Sequence, residues 1–278
     1  MEQEFKKVPY RKEIFQAPGI YEVKKYHTYR LGGNRVRGPN IQKTDEGLKK
    51  RNSRRAKTKL YRLIATNFKR DDLRIDLTYA NPEPTAEEAK NRIRKFIRDL
   101  RKKYKRKNAE LKYIYVTEHV RHRVHHHVLI NEGGISRSEI NECWPWAKFN
   151  YRSFRYFDGS PEDAMRLAEY FVKETDEEIR NENAVQKIRW VPSKNLKQPN
   201  VKKVTIYARK WKNNPTPKKG YQIVKVESGY TADGFPYQFY RMYKVNERNV
   251  WPITQSRVPK KKKECTVKQA RDKPRRRT

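Results

Sequence analysis

The stretch Tyr113–Ile130 reads Tyr-Ile-Tyr-Val-Thr-Glu-His-Val-Arg-His-Arg-Val-His-His-His-Val-Leu-Ile, and it constrains the fold more than any other part of the chain. Two apolar segments, Tyr113 to Thr117 and Val124 to Ile130, flank a short basic turn, the pattern of a hairpin. Side chains of an extended segment alternate between faces. His125 and His127 therefore project to one side, and His126 and Val128 to the other. Pairing the two segments brings Glu118 alongside the two imidazoles. Two histidines and a carboxylate suit a divalent ion and leave coordination positions open for substrate oxygens. A polar edge strand or an incidental nickel-binding patch has the same local appearance, so the rest of the chain has to decide.

Charge narrows the choice of partner. The 278 residues hold 68 Lys and Arg against 32 Asp and Glu, a formal net charge of +36 spread over both termini and the middle. Such a surplus repels itself unless an anion neutralises it, which makes nucleic acid the leading partner. An acidic membrane surface is the rival, but there is no long apolar run and no clean apolar helix face within the basic tails. Cys143 and Cys265 lie far apart without metal-finger spacing, the usage of a reducing compartment without structural zinc. The start, Met1-Glu-Gln-Glu-Phe-Lys-Lys, lacks an apolar signal core, so a cytoplasmic location is expected.

Along the chain, residues 1 to about 43 mix Pro, Gly, Tyr and basic residues without a sustained period, which predicts an irregular arm. A helix is expected from Asp45 to about Asn67, with Leu48, Leu60, Leu63 and Ile64 as a sparse apolar stripe and a basic face turned toward phosphates. Leu73 to Tyr79 alternates as a strand and stops at Asn81-Pro-Glu-Pro84. Thr85 and Glu88 form a capping box for a helix carrying Ala86, Ala89, Ile93, Phe96, Ile97 and Leu100, and Ser136 with Glu139 repeats the signal. Phe149 to Phe157 reads as a further strand. Ser160-Pro161-Glu-Asp163 then opens a helix with an N-cap, a proline at its first position and acids in its first turn. Ala164, Leu167, Ala168 and Phe171 form its buried stripe, which leaves Tyr170 and Lys173 together on a flanking face. In isolation such a pair is an anchoring phenol and a solvated ammonium, and with 18 tyrosines any single one is cheap evidence.

The order of these pieces carries more than each alone. Asp76-Leu-Thr-Tyr79 on a strand, His125-His126-His127 followed by Val-Leu-Ile, and Tyr170-Phe-Val-Lys173 on a helix resemble the three motifs of the HUH endonuclease superfamily. Within it the chain resembles the rolling-circle replication initiators of small phages and plasmids, in the group related to the filamentous-phage replication protein. The resemblance spans roughly residues 60 to 200, and Ser193-Lys-Asn-Leu196 resembles a Ser-Arg-Asn-Leu stretch of that group. The middle residue of the histidine motif, usually bulky and apolar, is His126 here, so the facing pair rests on register.

The resemblance implies a tyrosine that attacks a single-stranded DNA phosphate, leaving a 5′-phosphotyrosine link and a free 3′-hydroxyl that primes replication. Tyr170 takes that role by its motif position, and His125, His127 and Glu118 hold Mg²⁺ or Mn²⁺. Lys173 steadies the tyrosinate or the transition-state charge. Positions 166 and 174 are Arg and Glu, so no second tyrosine lies one turn away, and termination needs a second protomer or another nucleophile. No GxxxxGK[ST] loop is present, which hands unwinding to a host helicase and extension to a host polymerase. The expected partner is single-stranded or hairpin origin DNA, bound by a monomer or transient dimer.

Other classes fit less well. Glu118-His119-Val-Arg-His122 is not HExxH, and an inverted HxxEH needs a histidine where Tyr115 stands. The Pro-Cys-x-x-Cys of zinc deaminases is missing. A transposase or relaxase of the same superfamily, and a non-catalytic basic nucleic-acid-binding protein, remain the alternatives. The expected architecture is α+β: a central antiparallel sheet with the His strand in its middle, helices on one face, and the tyrosine helix beside the metal. Residues 1–68 form a basic arm and helix, 69–200 the catalytic domain, 201–256 a β-rich extension with a turn at Asp233-Gly234, and 257–278 a basic disordered tail. Aromatics of the extension, such as Tyr237, Phe239, Tyr240 and Tyr243, stack bases or fill a sheet core, the core being the commoner fate.

Overall fold

Sheets and helices alternate in four layers. The computed structural model describes residues 9–27, 46–119, 123–147, 153–178, 188–208, 210–230, 234–245 and 254–255. In chain order the elements are β1 (Tyr10–Ala17), β2 (Ile20–His27), α1 (Glu46–Asn67), β3 (Leu73–Leu77), α2 (Ala86–Arg106), β4 (Tyr113–Glu118), β5 (His125–Ile130) and α3 (Arg137–Cys143). They continue as β6 (Phe154–Tyr156), α4 (Pro161–Glu178), β7 (Val191–Pro192), β8 (Val201–Ile206), β9 (Tyr221–Tyr230), β10 (Pro236–Lys244) and β11 (Thr254–Gln255).

An antiparallel sheet of order β6-β3-β5-β4-β7 has the His strand β5 at its centre. Its inner strands are apolar on both faces. Tyr115, Val128 and Ile130 share a core with Phe96 and Leu100 of α2 and Ile140 of α3. Ile114, Val116 and Leu129, on the opposite face, pack with Ile64 of α1 and Ala168 and Phe171 of α4. Helices therefore cover both faces rather than the single face expected, because strands apolar on both sides have to be shielded on both.

The second sheet, β11-β9-β10-β2-β1-β8, closes the far side of α1 and α4 through Phe15, Ala17 and Ile20. Its centre is a correction to the irregular arm expected before residue 43: residues 10–27 are a hairpin with Ala17 opposite Ile20 and Gly19 at φ +73° in the turn. The pattern is hard to see because basic residues interrupt the alternation, and because the partners β8 and β10 lie about 180 to 230 positions further on. Strands from both ends of the chain thus form one sheet. Glu22 of β2, buried, receives Arg62 of α1 at 3.1 Å and Arg241 of β10 at 2.7 Å, a charged clamp between this sheet and α1.

Local signals hold where they can be compared. Both capping boxes form, at Thr85 with Glu88 and Ser136 with Glu139, and the Ser160 hydroxyl accepts the Asp163 N–H at 3.0 Å. The stripe of α4 is buried as expected, while Leu48 is only partly covered and the apolar anchor of α1 lies at Leu60 to Ala65. The strand expected over Phe149 to Phe157 is seen at Phe154–Tyr156, its beginning lying outside the described residues. Gly234 has φ +77° beside the expected turn, whereas Asp233, Cys265 and the 257–278 tail lie outside the described residues. Among the described residues no helix is long and apolar enough to cross a membrane.

Candidate active site

The site is built on the face of the first sheet that α4 covers. In the antiparallel register Glu118 stands opposite His125, and both Asp76 and Val116 stand opposite His127. Directly opposed residues share a face, so Asp76, Glu118, His125 and His127 converge. Tyr170 reaches the same place from α4. It lies at the edge of that helix's buried stripe, which seats Phe171 in the core and leaves the phenol half-buried.

The contacts are short. His125 Nε2 lies 3.1 Å from Glu118 Oε2, and His127 Nε2 lies 4.0 Å from the same oxygen. The Tyr170 hydroxyl is hydrogen-bonded to His127 Nε2 at 2.8 Å. On the other side of that ring, His127 Nδ1 meets Asp76 Oδ1 at 2.6 Å. Burial raises the Asp76 carboxyl, but the His127 hydrogen bond and the charges of His127, Arg74 and Arg155 outweigh it and hold Asp76 below its usual range. A carboxylate only accepts, so the Nδ1 proton of His127 points at Asp76, and Nε2 is left with its lone pair for Tyr170 or a cation.

His125 is oriented in the same manner, its Nδ1–H donating to the Arg123 carbonyl at 2.8 Å. Burial opposes its charge, yet the hydrogen bonds to Glu118 and Arg123 and the Glu118 charge raise its pKa. Glu118 is pushed up by burial and pulled down further by hydrogen bonds with His125 and with Glu174, ending below the ordinary value. Two carboxyl groups hydrogen-bond only by sharing a proton, and the low value for Glu118 leaves that proton on Glu174. Glu174 stands one turn beyond Tyr170 on α4.

Burial pushes the Tyr170 phenol up to about 12, against the opposing charge of Arg74. The Arg74 guanidinium lies over the Tyr170 ring, 4.7 Å from its centroid. Lys173, the cation expected beside the tyrosine, is exposed, and among the described residues no hydrogen bond or ion pair ties it to the cluster.

The donor set suits a divalent ion. One ligand atom each from Glu118, His125 and His127 lies within 4.8 Å of the others. An ion about 2.0–2.2 Å from each ligand needs them roughly 3 Å apart, a modest contraction from this spacing. Two imidazoles with one carboxylate fit a metal of intermediate hardness with positions left for other oxygens.

His126 faces away, fully buried between the Tyr79 hydroxyl at 2.7 Å and the Thr117 hydroxyl at 2.8 Å, with the Trp144 ring edge-on. Burial first, then the neighbouring His125 and His127 charges, lower its pKa to about 3, so it stays neutral. Ser193-Lys-Asn-Leu196 pins the sheet edge: the Ser193 hydroxyl accepts the Tyr113 N–H at 3.1 Å, and Asn195 donates to the Leu111 carbonyl at 3.2 Å.

Asp76, Arg74 and Glu174 are the site residues that sequence reasoning did not assign. Asp76 stood inside the strand motif, and its alternation with Leu77 was the available signal for the face it occupies. Arg74 and Glu174 had no signal beyond their spacing.

No curated protein and no solved structure matched the chain. Residues 72–178 match a family model, that of the replication-associated protein ORF2 family, a span that runs from the residue before β3 to the end of α4 and encloses every residue of the cluster. Through that segment the chain belongs to the replication-associated protein ORF2 family.

Proposed function

We propose that the chain initiates rolling-circle DNA replication by nicking and rejoining single-stranded origin DNA, with residues 69–200 as the cleaving unit. The observation that carries this reading is the 2.8 Å hydrogen bond between the Tyr170 hydroxyl and His127 Nε2, which joins a phenol and a histidine 43 positions apart. In the reaction the Tyr170 oxygen bonds the scissile phosphorus as the bond to the 3′ oxygen breaks, leaving a 5′-phosphotyrosine and a 3′-hydroxyl. The phenol proton leaves as the new bond forms, and the departing 3′ oxygen takes one up. Glu118, His125 and His127 hold Mg²⁺ or Mn²⁺, which supplies Lewis-acid polarisation of a phosphoryl oxygen.

The remaining groups bind and orient. Asp76 keeps the His127 proton on Nδ1, and Arg74 favours the charged form of Tyr170 against burial. Lys173, exposed one turn on, meets a DNA phosphate. The N-terminal half of α1 exposes Arg51, Arg54 and Arg55, and Ser53 bonds Asp176 of α4 at 2.9 Å, so this basic face runs beside the tyrosine helix. It neutralises the incoming strand.

The test is a nicking assay on single-stranded origin DNA with Mg²⁺ or Mn²⁺. Tyr170→Phe is expected to lose the covalent adduct while still retarding DNA in a gel. An adduct that persists in this variant assigns the nucleophile elsewhere, and a wild-type protein that binds but never cuts leaves a non-catalytic DNA binder.

A further inference from the structure

A second basic surface lies on the other side of the first sheet, on the outer face of α2. That helix buries Ala89, Ile93, Phe96 and Leu100 against the sheet. Outward, Asn91, Arg92, Arg94, Lys95 and Arg98 line a pocket of about 440 Å³ whose remaining wall is Trp146. The size lies within the roughly 300–1,000 Å³ of small-ligand sites. Four of the lining residues are cations. Glu88 offsets Arg92 at 3.5 Å, and Asp99 is shared among Lys95 at 2.6 Å, Lys102 at 3.5 Å and Arg98 at 3.9 Å. Arg94 is exposed and has no ion pair among the described residues. The pocket therefore keeps an excess of positive charge.

Trp146 is held in place rather than loose. Its carbonyl accepts the Ala80 N–H at 2.9 Å, and its ring meets Trp144 edge-on at 4.8 Å. Trp144 in turn donates its indole N–H to the Thr78 carbonyl at 2.8 Å. The Arg92 guanidinium lies 5.7 Å from the Trp146 ring and 5.5 Å from the Tyr79 ring. A fixed, half-covered indole bordered by guanidinium groups offers a flat surface for a base and donors for the adjoining phosphates. Tyr79 links this corner to His126, so the pocket and the His125/His127 cluster occupy the same end of the sheet on opposite faces.

We propose that this pocket binds one nucleotide of single-stranded DNA, its base against Trp146 and its flanking phosphates on Arg94 and Arg98, and so anchors the strand beyond the cleaved phosphate. Only the last clause rests on the nicking reading, since the pocket's affinity for DNA does not depend on it.

The test is fluorescence anisotropy of a labelled single-stranded oligonucleotide with full-length Tyr170→Phe protein in EDTA, where cleavage plays no part. Adding Arg94→Ala and Arg98→Ala, both exposed, is expected to weaken binding about tenfold or more and to lower the log–log salt slope by about 1.4, two phosphates at about 0.7 each. Trp146→Leu is expected to cost about tenfold with the slope unchanged, while inorganic polyphosphate, which has no base, competes with the same affinity for this variant and its parent. Unchanged affinity and slope in the arginine variant overturn the proposal. So does oligonucleotide affinity that Trp146→Leu leaves intact. Should Trp146→Leu fail to fold by circular dichroism, tryptophan quenching by the oligonucleotide in Trp146→Phe replaces it, and quenching equal to the parent's counts against the stack.

Discussion

The two faces of β5 put the same side chain to opposite uses. On one face His126 has both ring nitrogens taken by the hydroxyls of Tyr79 and Thr117 inside an aromatic core, and burial keeps it neutral. On the other face His125 and His127 spend Nδ1 on the Arg123 carbonyl and the Asp76 carboxylate, and turn Nε2 toward Glu118 and Tyr170. A satisfied imidazole stiffens a core, whereas one with a single nitrogen committed is aimed and available. Residue type therefore says little about role here, and the second nitrogen says most.

The contrast can be broken most severely at His127. His127→Ala removes a ligand and the partner of Tyr170 together, so nicking is expected to fall on the order of 10³-fold or more while the thermal midpoint barely moves. Comparing single-turnover rates with melting curves checks both halves. His126→Leu should do the reverse: two buried hydroxyls lose their partner, for about 2–4 kcal/mol of stability by denaturant unfolding, with metal affinity held within a few-fold. Loss of metal binding in that variant would mean the two faces are not separable.

Asp76→Asn tests what aims His127. An amide can donate as well as accept, which no longer holds the Nδ1 proton, and metal affinity by calorimetry is expected to drop about 10- to 100-fold. Equal affinity in wild type and variant would leave Asp76 without an orienting role.

Acid titration sharpens the other face. The folded-state pKa of His126 lies below its unfolded value, so its contribution is intact above about 6.5 and is lost as pH falls from there toward about 3. The expected slope is on the order of 1.4 kcal/mol per pH unit, and it should vanish in His126→Leu. The smallest effect belongs to Tyr170→Phe. His127 Nε2 has one lone pair, and removing the hydroxyl that competes for it should raise metal affinity by about two- to fivefold, measured without DNA.

Much of this was legible in the residue order. Caps announced themselves at Thr85, Ser136 and Ser160, and the alternation of β5 put His125 and His127 on one face with His126 on the other. The hairpin alone implied that Glu118 would be near. Less visible were the partners contributed from elsewhere. Asp76 lies 51 positions from His127, and Arg74 displaced Lys173 as the cation beside Tyr170. The sheet made by residues 10–27 with strands beyond residue 200 escaped notice because each strand alone is interrupted by basic residues and gains its apolar partners only on pairing.

Short-range physics explains the division. Helix starts, turns, strand faces and the cationic character depend on neighbours within a few positions or on composition, and these are written along the chain. Which charge sits over the phenol, which nitrogen of a histidine is free, and how helices cover both faces of the first sheet depend on packing between distant segments. Those outcomes arise when buried polar groups must each find a partner, and only the folded arrangement supplies the candidates.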